Sequence, residues 1–194
     1  MQGMLPLVWD RAEDFTIYDA AGNQWIDFTS AAFLTNVGHA NQRVAAAIRD
    51  AVDRPLIHSY VYANEIRVQY QERLVEWAGH PFTKSYLVST GAETTEAAFK
   101  LMRMEGRRRR KRRLGVLCLE GNFHGRTTGS QMMSGNQPAR EWLGFMDPDI
   151  HHLPFPYPWV LEGSDPAAFF DDSLRSLEDR GLDPSVDLCG VMLE

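Results

Sequence analysis

The stretch Val88–Lys100, VSTGAETTEAAFK, joins the end of an apolar run to a glycine turn and a helix start. Val88 closes the apolar run, Gly91 interrupts it, and the residues from Thr94 onward have the composition of a helix. Thr90 and Glu93 have the spacing of a capping box, in which both side chains bind backbone N–H groups at a helix start. The stretch therefore predicts a strand, a tight turn and a new helix, in that order.

The first turn of this predicted helix is suited to an anion. Gly91 and Ala92 leave no large side chain in the way of a ligand, and the exposed N–H groups add to the positive end of the helix dipole. Phosphate is the anion that suits such a turn best, although plain helix capping explains the same residues. The P-loop lysine and the spacing of a dinucleotide fingerprint are both missing, so neither nucleotide motif is met.

The predicted elements around this stretch alternate between helix and strand. An antiparallel hairpin is predicted for FTIYD and QWIDF, which flank a turn at residues 20–23. Alternation of strands with crossover helices favours an α/β fold with a mainly parallel sheet between helices. The segment 121–158 is too long for a plain connection, which indicates a functional or covering role. The predicted helices span 41–52, 64–78, 92–105 and a segment from Asp165, and the predicted strands span 85–88, 114–119, 151–153 and 187–194.

Composition excludes several classes of protein. Apolar residues make up 44% of the 194 residues and the net charge is −6, which is ordinary for a globular protein and unlike a general polyanion binder. We find no apolar stretch long enough to span a membrane and no signal peptide. Cys118 and Cys189 each lie in a short apolar run, which predicts buried thiols on strands and a cytoplasmic protein.

A second cluster of polar and aromatic residues follows the next predicted strand, in the sequence NFHGRTTG (122–129). Loops at the carboxyl ends of parallel strands line the ligand crevice of an open sheet. Phe123 is suited to stacking on a planar heteroaromatic ring, and Arg126 to binding a substrate carboxylate with two parallel hydrogen bonds. The alternatives are loop packing for Phe123 and His124 and a surface ion pair for Arg126.

Taken together, these motifs resemble the class III aminotransferases that depend on pyridoxal phosphate, of the ornithine, acetylornithine and 4-aminobutyrate type. The resemblance covers nearly the whole chain in family order. It rests on the segments YDAAGNQWIDFTS, NVGHAN, STGAETTEAAFKLMR, GNFHGRTTGS and GVMLE. It implies fold type I of the pyridoxal-phosphate-dependent transferases. Residues 1–60 would then begin a smaller α+β domain, and residues 61–194 would form the incomplete cofactor-binding domain.

The resemblance also implies roles for individual residues. Gly91 and Ala92 would hold the cofactor phosphate through their N–H groups. Phe123 would stack on the pyridine ring with His124 beside it, and Glu194 would lie behind the cofactor. Arg126 would bind a substrate carboxylate. These are the cofactor-binding and substrate-binding residues that we expect: Gly91, Ala92, Phe123, His124, Glu194 and Arg126.

The implied reaction is amino transfer from an amino acid, with an ω-amine of the 4-aminobutyrate or ornithine kind, to a 2-oxo acid, in a homodimer. Ornithine-specific relatives carry a substrate-contacting tyrosine where this chain has Ala32, followed by Phe33, which argues against ornithine itself. Tyr60 and Tyr62 are candidates for either substrate contact or core packing. An aminomutase or a racemase on the same fold would share all of these motifs.

The lysine inventory limits what this chain does by itself. A transaminase needs a lysine for the Schiff base, and the only lysines are Lys84, Lys100 and Lys111, none of them well placed to reach a ring whose phosphate rests at Gly91. In the family that lysine lies further along the chain. We therefore expect no catalytic lysine here, no transaminase activity from these 194 residues alone, and a longer complete protein, since the sequence stops inside a predicted core strand.

The remaining charged clusters have two interpretations each. The run GRRRRKRRLG (106–115) either closes a helix and solvates a loop, which we favour, or binds a polyanion such as nucleic acid. His151 and His152 lack further ligands at a metal-like spacing, so no metal site is predicted. Glu93 and Glu96 are either an acid–base pair or, as we favour, a helix cap and a helix-face charge.

Overall fold

The computed structural model of the chain describes residues 7–56, 59, 61–163 and 165–194. The chain divides into two units, Met1–Pro81 and Phe82–Glu194. The boundary near residue 60 that the sequence suggested concerns the domains of a complete protein and stays a prediction.

The first unit contains the predicted hairpin together with one further strand. β2 (Thr16–Asp19) and β3 (Gln24–Ile26) pair antiparallel, which confirms the hairpin. β1 (Trp9–Glu13), which was not predicted, pairs with the other edge of β2. The carboxylate of Asp19 closes the turn by accepting hydrogen bonds from backbone and side-chain groups of the residues that follow, and these bonds lower its pKa.

The segment after the hairpin is α1 (Ser30–Phe33), a single turn whose four residues all have positive φ angles of 50–69°. None of them is glycine, and this left-handed conformation costs such residues about 1–2 kcal/mol each. The carboxylate of Asp27 accepts hydrogen bonds from the N–H groups of Thr29 (2.8 Å) and Ala31 (2.9 Å) and from Nε2 of His39 (2.8 Å). The bond with His39 is the main reason that the pKa of Asp27 is lowered.

Both helices predicted for this unit are confirmed. α2 (Gln42–Val52) begins after Asn41, and α3 (Glu65–Ala78) begins after Asn64. Each asparagine side chain accepts hydrogen bonds from the first turn of its helix, as good N-cap residues do. Within this unit the apolar side of α3 is largely exposed, with only Leu74 half-buried among its four main residues, Ile66, Tyr70, Leu74 and Trp77.

A parallel sheet of three strands forms the centre of the second unit. β4 (Gly115–Leu119) lies between β5 (Ile150–Leu153) and β6 (Leu188–Val191). Val116 faces Ile150 on one side and Gly190 on the other. Three of the four predicted parallel strands are therefore confirmed, and with them the α/β class.

Helices cover both faces of this sheet, so β4 is buried on both sides, as is usual for parallel strands. Val116 and Cys118 pack with α4 (Gly91–Arg108) and α5 (Thr128–Met133). On the opposite face, Leu117 packs with α6 (Pro166–Glu178). Burial raises the pKa of the Cys118 thiol to about 12, while Cys189 is only partly buried.

Two predictions for this unit need correction. Residues 82–88 form no strand, because no other described strand lies beside them to pair with their N–H and C=O groups, and Tyr86 is 75% exposed. The segment 121–158 is less irregular than expected, since it contains α5, β5 and a 3₁₀ helix (Pro138–Leu143). Among the described residues, no helix is long and apolar enough to cross a membrane.

α4 approaches β6 closely through two glycines. A Cβ atom added to Gly106 of α4 would lie 2.5 Å from Cβ of Cys189, and one added to Gly190 of β6 would lie 2.9 Å from Cβ of Met102. Since real Cβ atoms do not approach so closely, the distance between helix and sheet depends on both glycines.

The arginine-rich run after Gly106 closes α4 and is largely paired with acidic side chains of its own unit. α7 (Pro184–Asp187) supplies one of these acids. The ion pairs support the helix-closing interpretation of the run: Arg108 and Arg109 with Glu105, Arg112 with Asp187, and Arg113 with Asp149.

We expect Gly106→Ala to destabilise the chain by about 1–3 kcal/mol, because the new methyl group overpacks the contact with Cys189. Helix propensity alone predicts the opposite, a gain of about 1 kcal/mol. Urea unfolding decides between them, with Lys100→Ala, an exposed change on the same helix, as the control. A higher urea midpoint for Gly106→Ala would contradict the close packing.

Asp187 makes the stability of the chain depend on pH. Its hydrogen bonds with Arg112 lower its pKa from 3.8 to about 2. A lowered pKa in the folded state stabilises the fold above the ordinary pKa, and this contribution is lost as the pH falls towards 2. Asp187→Asn should therefore lower the urea midpoint at pH 6, and the difference from the wild type should shrink between pH 5 and pH 2. Asp172→Asn, in an exposed ion pair, is the control. If the difference in urea midpoint between Asp187→Asn and the wild type is the same at every pH, the lowered pKa of Asp187 is refuted.

Candidate functional site

The turn that precedes α4 has the predicted capping box. The Thr90 hydroxyl accepts a hydrogen bond from the N–H of Glu93 (3.1 Å). The Glu93 carboxylate accepts bonds from the N–H groups of Thr90 (3.1 Å) and Ser89 (2.6 Å). The sequence interpretation of Glu93 as a cap is confirmed, and its carboxylate is committed to the turn.

The next two N–H groups are open. Within the described chain the N–H groups of Gly91 and Ala92 have no hydrogen-bond acceptor. A Cβ atom added to Gly91 would meet no atom within 4 Å. The first N–H groups of a helix have no partner inside the helix and carry its positive end. This turn therefore presents two donors without partners in the described chain, with open space beside Gly91.

The loop after β4 alternates between exposed and buried residues. The side chains of Phe123 (55% exposed) and Arg126 reach solvent, whereas His124 and Gly125 are buried. Gly125 has a φ of +131°, in the region that favours glycine. No ion pair involves Arg126 in the described part of the chain, so the surface ion pair suggested as its alternative role is not formed there.

The turn and the loop lie side by side. The Thr95 hydroxyl, one turn into α4, donates a hydrogen bond to the carbonyl oxygen of His124 (2.7 Å). A Cβ atom added to Gly125 would lie 2.9 Å from Cβ of Ala92. A glycine is therefore needed for this contact, which brings the open donors and the aromatic loop to the same end of the sheet.

His124 contributes a buried ring to this region. The backbone N–H of His124 donates to the Ser134 hydroxyl (2.9 Å). Nε2 of the His124 ring is buried and has no hydrogen-bond partner among the residues described. Burial lowers the pKa of His124, and the charge of Glu194 acts against that shift. A buried polar atom without a partner is uncommon in a native protein and calls for an explanation such as a bound ligand.

Glu194, which follows β6, is hydrogen-bonded to the same loop. Its carboxylate accepts a hydrogen bond from the N–H of Phe123 (2.5 Å). The side-chain amide of Asn122, turned so that each atom meets a complementary group, accepts from the N–H of Glu194 (2.9 Å) and donates to its carbonyl (3.2 Å). No role was predicted for Asn122, since nothing in the sequence shows which backbone its amide meets.

Glu96 is a second residue whose role the sequence does not reveal. It was interpreted as a helix-face charge, but the structure shows that it is partly buried against α5. Its Oε1 accepts hydrogen bonds from the hydroxyl of Thr127 (2.6 Å) and from the N–H groups of Gly129 (2.8 Å) and Ser130 (3.1 Å). The spacing of Glu96 from Thr90 gives no sign of these partners, which lie more than thirty residues away.

The other candidates lie outside this region or outside the described residues. Lys84 and Lys100 are exposed, and Lys111 donates to the carbonyl of Ser185. Tyr62 is 76% exposed, which contradicts core packing, and Tyr60 lies outside the described residues. In the part of the chain that the structure describes, no three His, Cys, Asp or Glu side chains are grouped to hold a metal.

Comparison with solved structures identifies the fold. The taurine:2-oxoglutarate aminotransferase from Bifidobacterium kashiwanohense superposes on the whole chain with a TM-score of 0.83 at 23% identity, over 44% of its own length. An (S)-enantioselective omega-transaminase from Thermomicrobium roseum covers 90% of the chain with a TM-score of 0.80 at 26% identity, over 40% of its own length. The chain therefore has the fold of these transaminases, as the resemblance implied.

Comparison with sequences identifies the family. An acetylornithine aminotransferase from Streptomyces clavuligerus is 32% identical over 75% of this chain and 34% of its own length. An ornithine aminotransferase from Emericella nidulans is 30% identical over 75% of this chain and 32% of its own length. The chain thus spans about a third of the length of these relatives. The family model for aminotransferase class-III matches residues 1–194. The chain therefore belongs to the class III aminotransferases.

Proposed function

We propose that the complete protein is a pyridoxal-phosphate-dependent aminotransferase that moves an amino group from an ω-amino acid to a 2-oxo acid. One observation carries the proposal: the open N–H groups of Gly91 and Ala92 lie beside the loop of Phe123–Arg126. A phosphate site next to an exposed aromatic ring and an exposed guanidinium suits a phosphorylated planar cofactor and a carboxylate substrate.

The residues present fit pyridoxal phosphate. The two open donors suit its phosphate, and the exposed face of Phe123 suits its flat ring. Nε2 of His124, buried without a partner in the described residues, is a polar atom that a ligand in this region would satisfy.

Each residue then has one task. Gly91 and Ala92 bind the phosphate, Phe123 covers one face of the ring, and Glu194 holds the Phe123 backbone in place. Arg126 binds a substrate carboxylate and so orients the amino acid. Pyridoxal phosphate, when bound, supplies an electron sink for the reacting carbon of the amino acid.

The names of the relatives support an ω-amino acid as the amino donor. Acetylornithine, ornithine and taurine, named in three of them, each present a primary amine at a chain end. Transamination is favoured over an aminomutase or racemase reaction because these relatives are named aminotransferases. Polyanion binding through residues 107–113 is less well supported, because most of those arginines pair with carboxylates of their own unit.

The proposal extends to features outside this chain. The lysine that bonds to the cofactor is not among Lys84, Lys100 and Lys111, so we expect the 194 residues alone to be inactive. A homodimer and a cytoplasmic location complete the proposal, and gel filtration of the complete protein tests the dimer.

Gly91→Pro tests the phosphate turn. Proline is well tolerated at the first position of a helix, and the preceding Thr90 is already extended, as a residue before proline must be. The change therefore removes one donor and keeps the helix. We expect the affinity of the chain for pyridoxamine phosphate to fall about tenfold or more, since a hydrogen bond to a charged group contributes about 1.5–3 kcal/mol.

The affinity is measured by titration of the ¹⁵N-labelled chain, in which the amides of Ala92 and Phe123 report binding. Pyridoxamine phosphate is the probe because its amine forms no imine with surface lysines. Gln42→Pro, at the first position of α2, is the matched control and should leave the affinity unchanged. Equal affinities of Gly91→Pro and the wild type would refute the assignment of the turn.

Arg126→Gln tests the carboxylate site. With pyridoxamine phosphate present, the affinity for 2-oxoglutarate should fall about tenfold or more, because a charge-assisted pair is lost, while the affinity for pyridoxamine phosphate stays the same. Arg110→Gln removes an equal charge from the exposed basic run and is the control. If both variants weaken 2-oxoglutarate equally, the effect is one of net charge and Arg126 is not the carboxylate ligand.

A further inference from the structure

We propose that Glu96 is a positioning residue, which fixes the Phe123–Arg126 loop relative to the phosphate turn at Gly91–Ala92. The inference rests on the proposed function and adds to it a residue that contacts neither cofactor nor substrate. Through the loop, Glu96 affects the contact of Phe123 with the cofactor ring and that of Arg126 with the substrate carboxylate. The contacts of the Gly91–Ala92 turn with the phosphate do not depend on Glu96.

Several groups from the start of α5 converge on Glu96. Oε1 accepts from the Thr127 hydroxyl and from the N–H groups of Gly129 and Ser130, at 2.6, 2.8 and 3.1 Å. A Cβ atom added to Gly129 would lie too close to Oε2 of Glu96, so the carboxylate would have to move to admit a side chain there. The carboxylate therefore holds the start of α5 in a tightly packed contact.

The loop itself lies between two carboxylates. Its beginning is held by Glu194, which binds the N–H of Phe123, and its end is held by Glu96, which binds Thr127. Between these points the loop contacts α4 through the Thr95 hydroxyl and the methyl group of Ala92, and the backbone N–H of His124 donates to the Ser134 hydroxyl. The side chains of Phe123 and Arg126 are exposed, so their positions depend on the backbone of the loop.

The phosphate turn, in contrast, has its own support. Thr90 and Glu93 close the capping box with each other and with Ser89, without any contribution from Glu96. Loss of the Glu96 carboxylate should thus release the Thr127 end of the loop and leave the open donors of Gly91 and Ala92 as they are. This separation predicts different effects on a ligand that has only a phosphate and on one that also has a ring.

The experiment compares inorganic phosphate with pyridoxamine phosphate as probes for the ¹⁵N-labelled 194-residue chain. For Glu96→Ala we expect the dissociation constant for phosphate to stay within about twofold and that for pyridoxamine phosphate to rise about tenfold or more, the loss associated with charge-assisted hydrogen bonds. Glu96→Gln keeps an oxygen in the place of Oε1, so it should retain the affinity for pyridoxamine phosphate within about threefold of the wild type.

Glu105→Ala is the matched control, because it removes a carboxylate from the same helix whose ion pairs, among the described residues, are with Arg108 and Arg109. Both of its affinities should match the wild type. If Glu96→Ala does not fold, Thr127→Val, which removes the 2.6 Å donor, takes its place with the same direction of change.

The outcomes separate the two proposals. If the wild type binds neither probe at the Gly91 turn, the proposed function fails and the positioning role falls with it. If the wild type binds both probes and loss of the Glu96 contact changes neither affinity, or weakens both equally, only the positioning role is refuted. A selective loss of pyridoxamine phosphate that Glu96→Gln restores supports it.

Discussion

The second unit depends on the close packing of α4 against β6 and against the loop that follows β4. At its far end the helix approaches β6 through Gly106 and Gly190, and at its near end Ala92 packs on Gly125. Each contact excludes a single methyl group, so the helix has little freedom to slide along the sheet. The open N–H groups at its start are consequently fixed relative to the loop that follows β4.

The chain presents these open donors although it is acidic overall. The net charge is −6, yet the donors that face open space belong to the backbone and need no positive side chain beside them. The nearby carboxylates are each occupied: Glu93 caps the turn, and Glu96 receives the start of α5. Their charges are thereby satisfied by N–H groups of the protein, which limits their repulsion of a bound anion.

Local chemistry accounts for the features that the sequence predicts correctly. The cap at Thr90 and the helix starts at Asn41 and Asn64 depend on residues only a few positions away, and so they are visible in a short window of sequence. Contacts between distant segments are not visible in this way, which is why the hydrogen bonds of Glu96 were missed. The apolar run before Val88 resembles a strand by composition alone, but a strand exists only where another one pairs with it. The proximity of the Gly91 turn to Phe123 was expected from two parallel strands, but only Phe123 follows a strand in the described structure, and the contact of Ala92 with Gly125 brings the turn beside it.

The left-handed turn at Ser30–Phe33 has a consequence for how this segment tolerates change. Its four residues are in a conformation that none of their side chains favours, and the carboxylate of Asp27 adds support to the backbone hydrogen bonds of the turn. Glycine at Ala31 or Ala32 would relieve the backbone, so the turn itself can accept replacement. Replacements should therefore be tolerated better at Ala31 or Ala32, within the turn, than at Asp27, which precedes it. A change at position 27 would remove the hydrogen bonds that the Asp27 carboxylate makes to the turn.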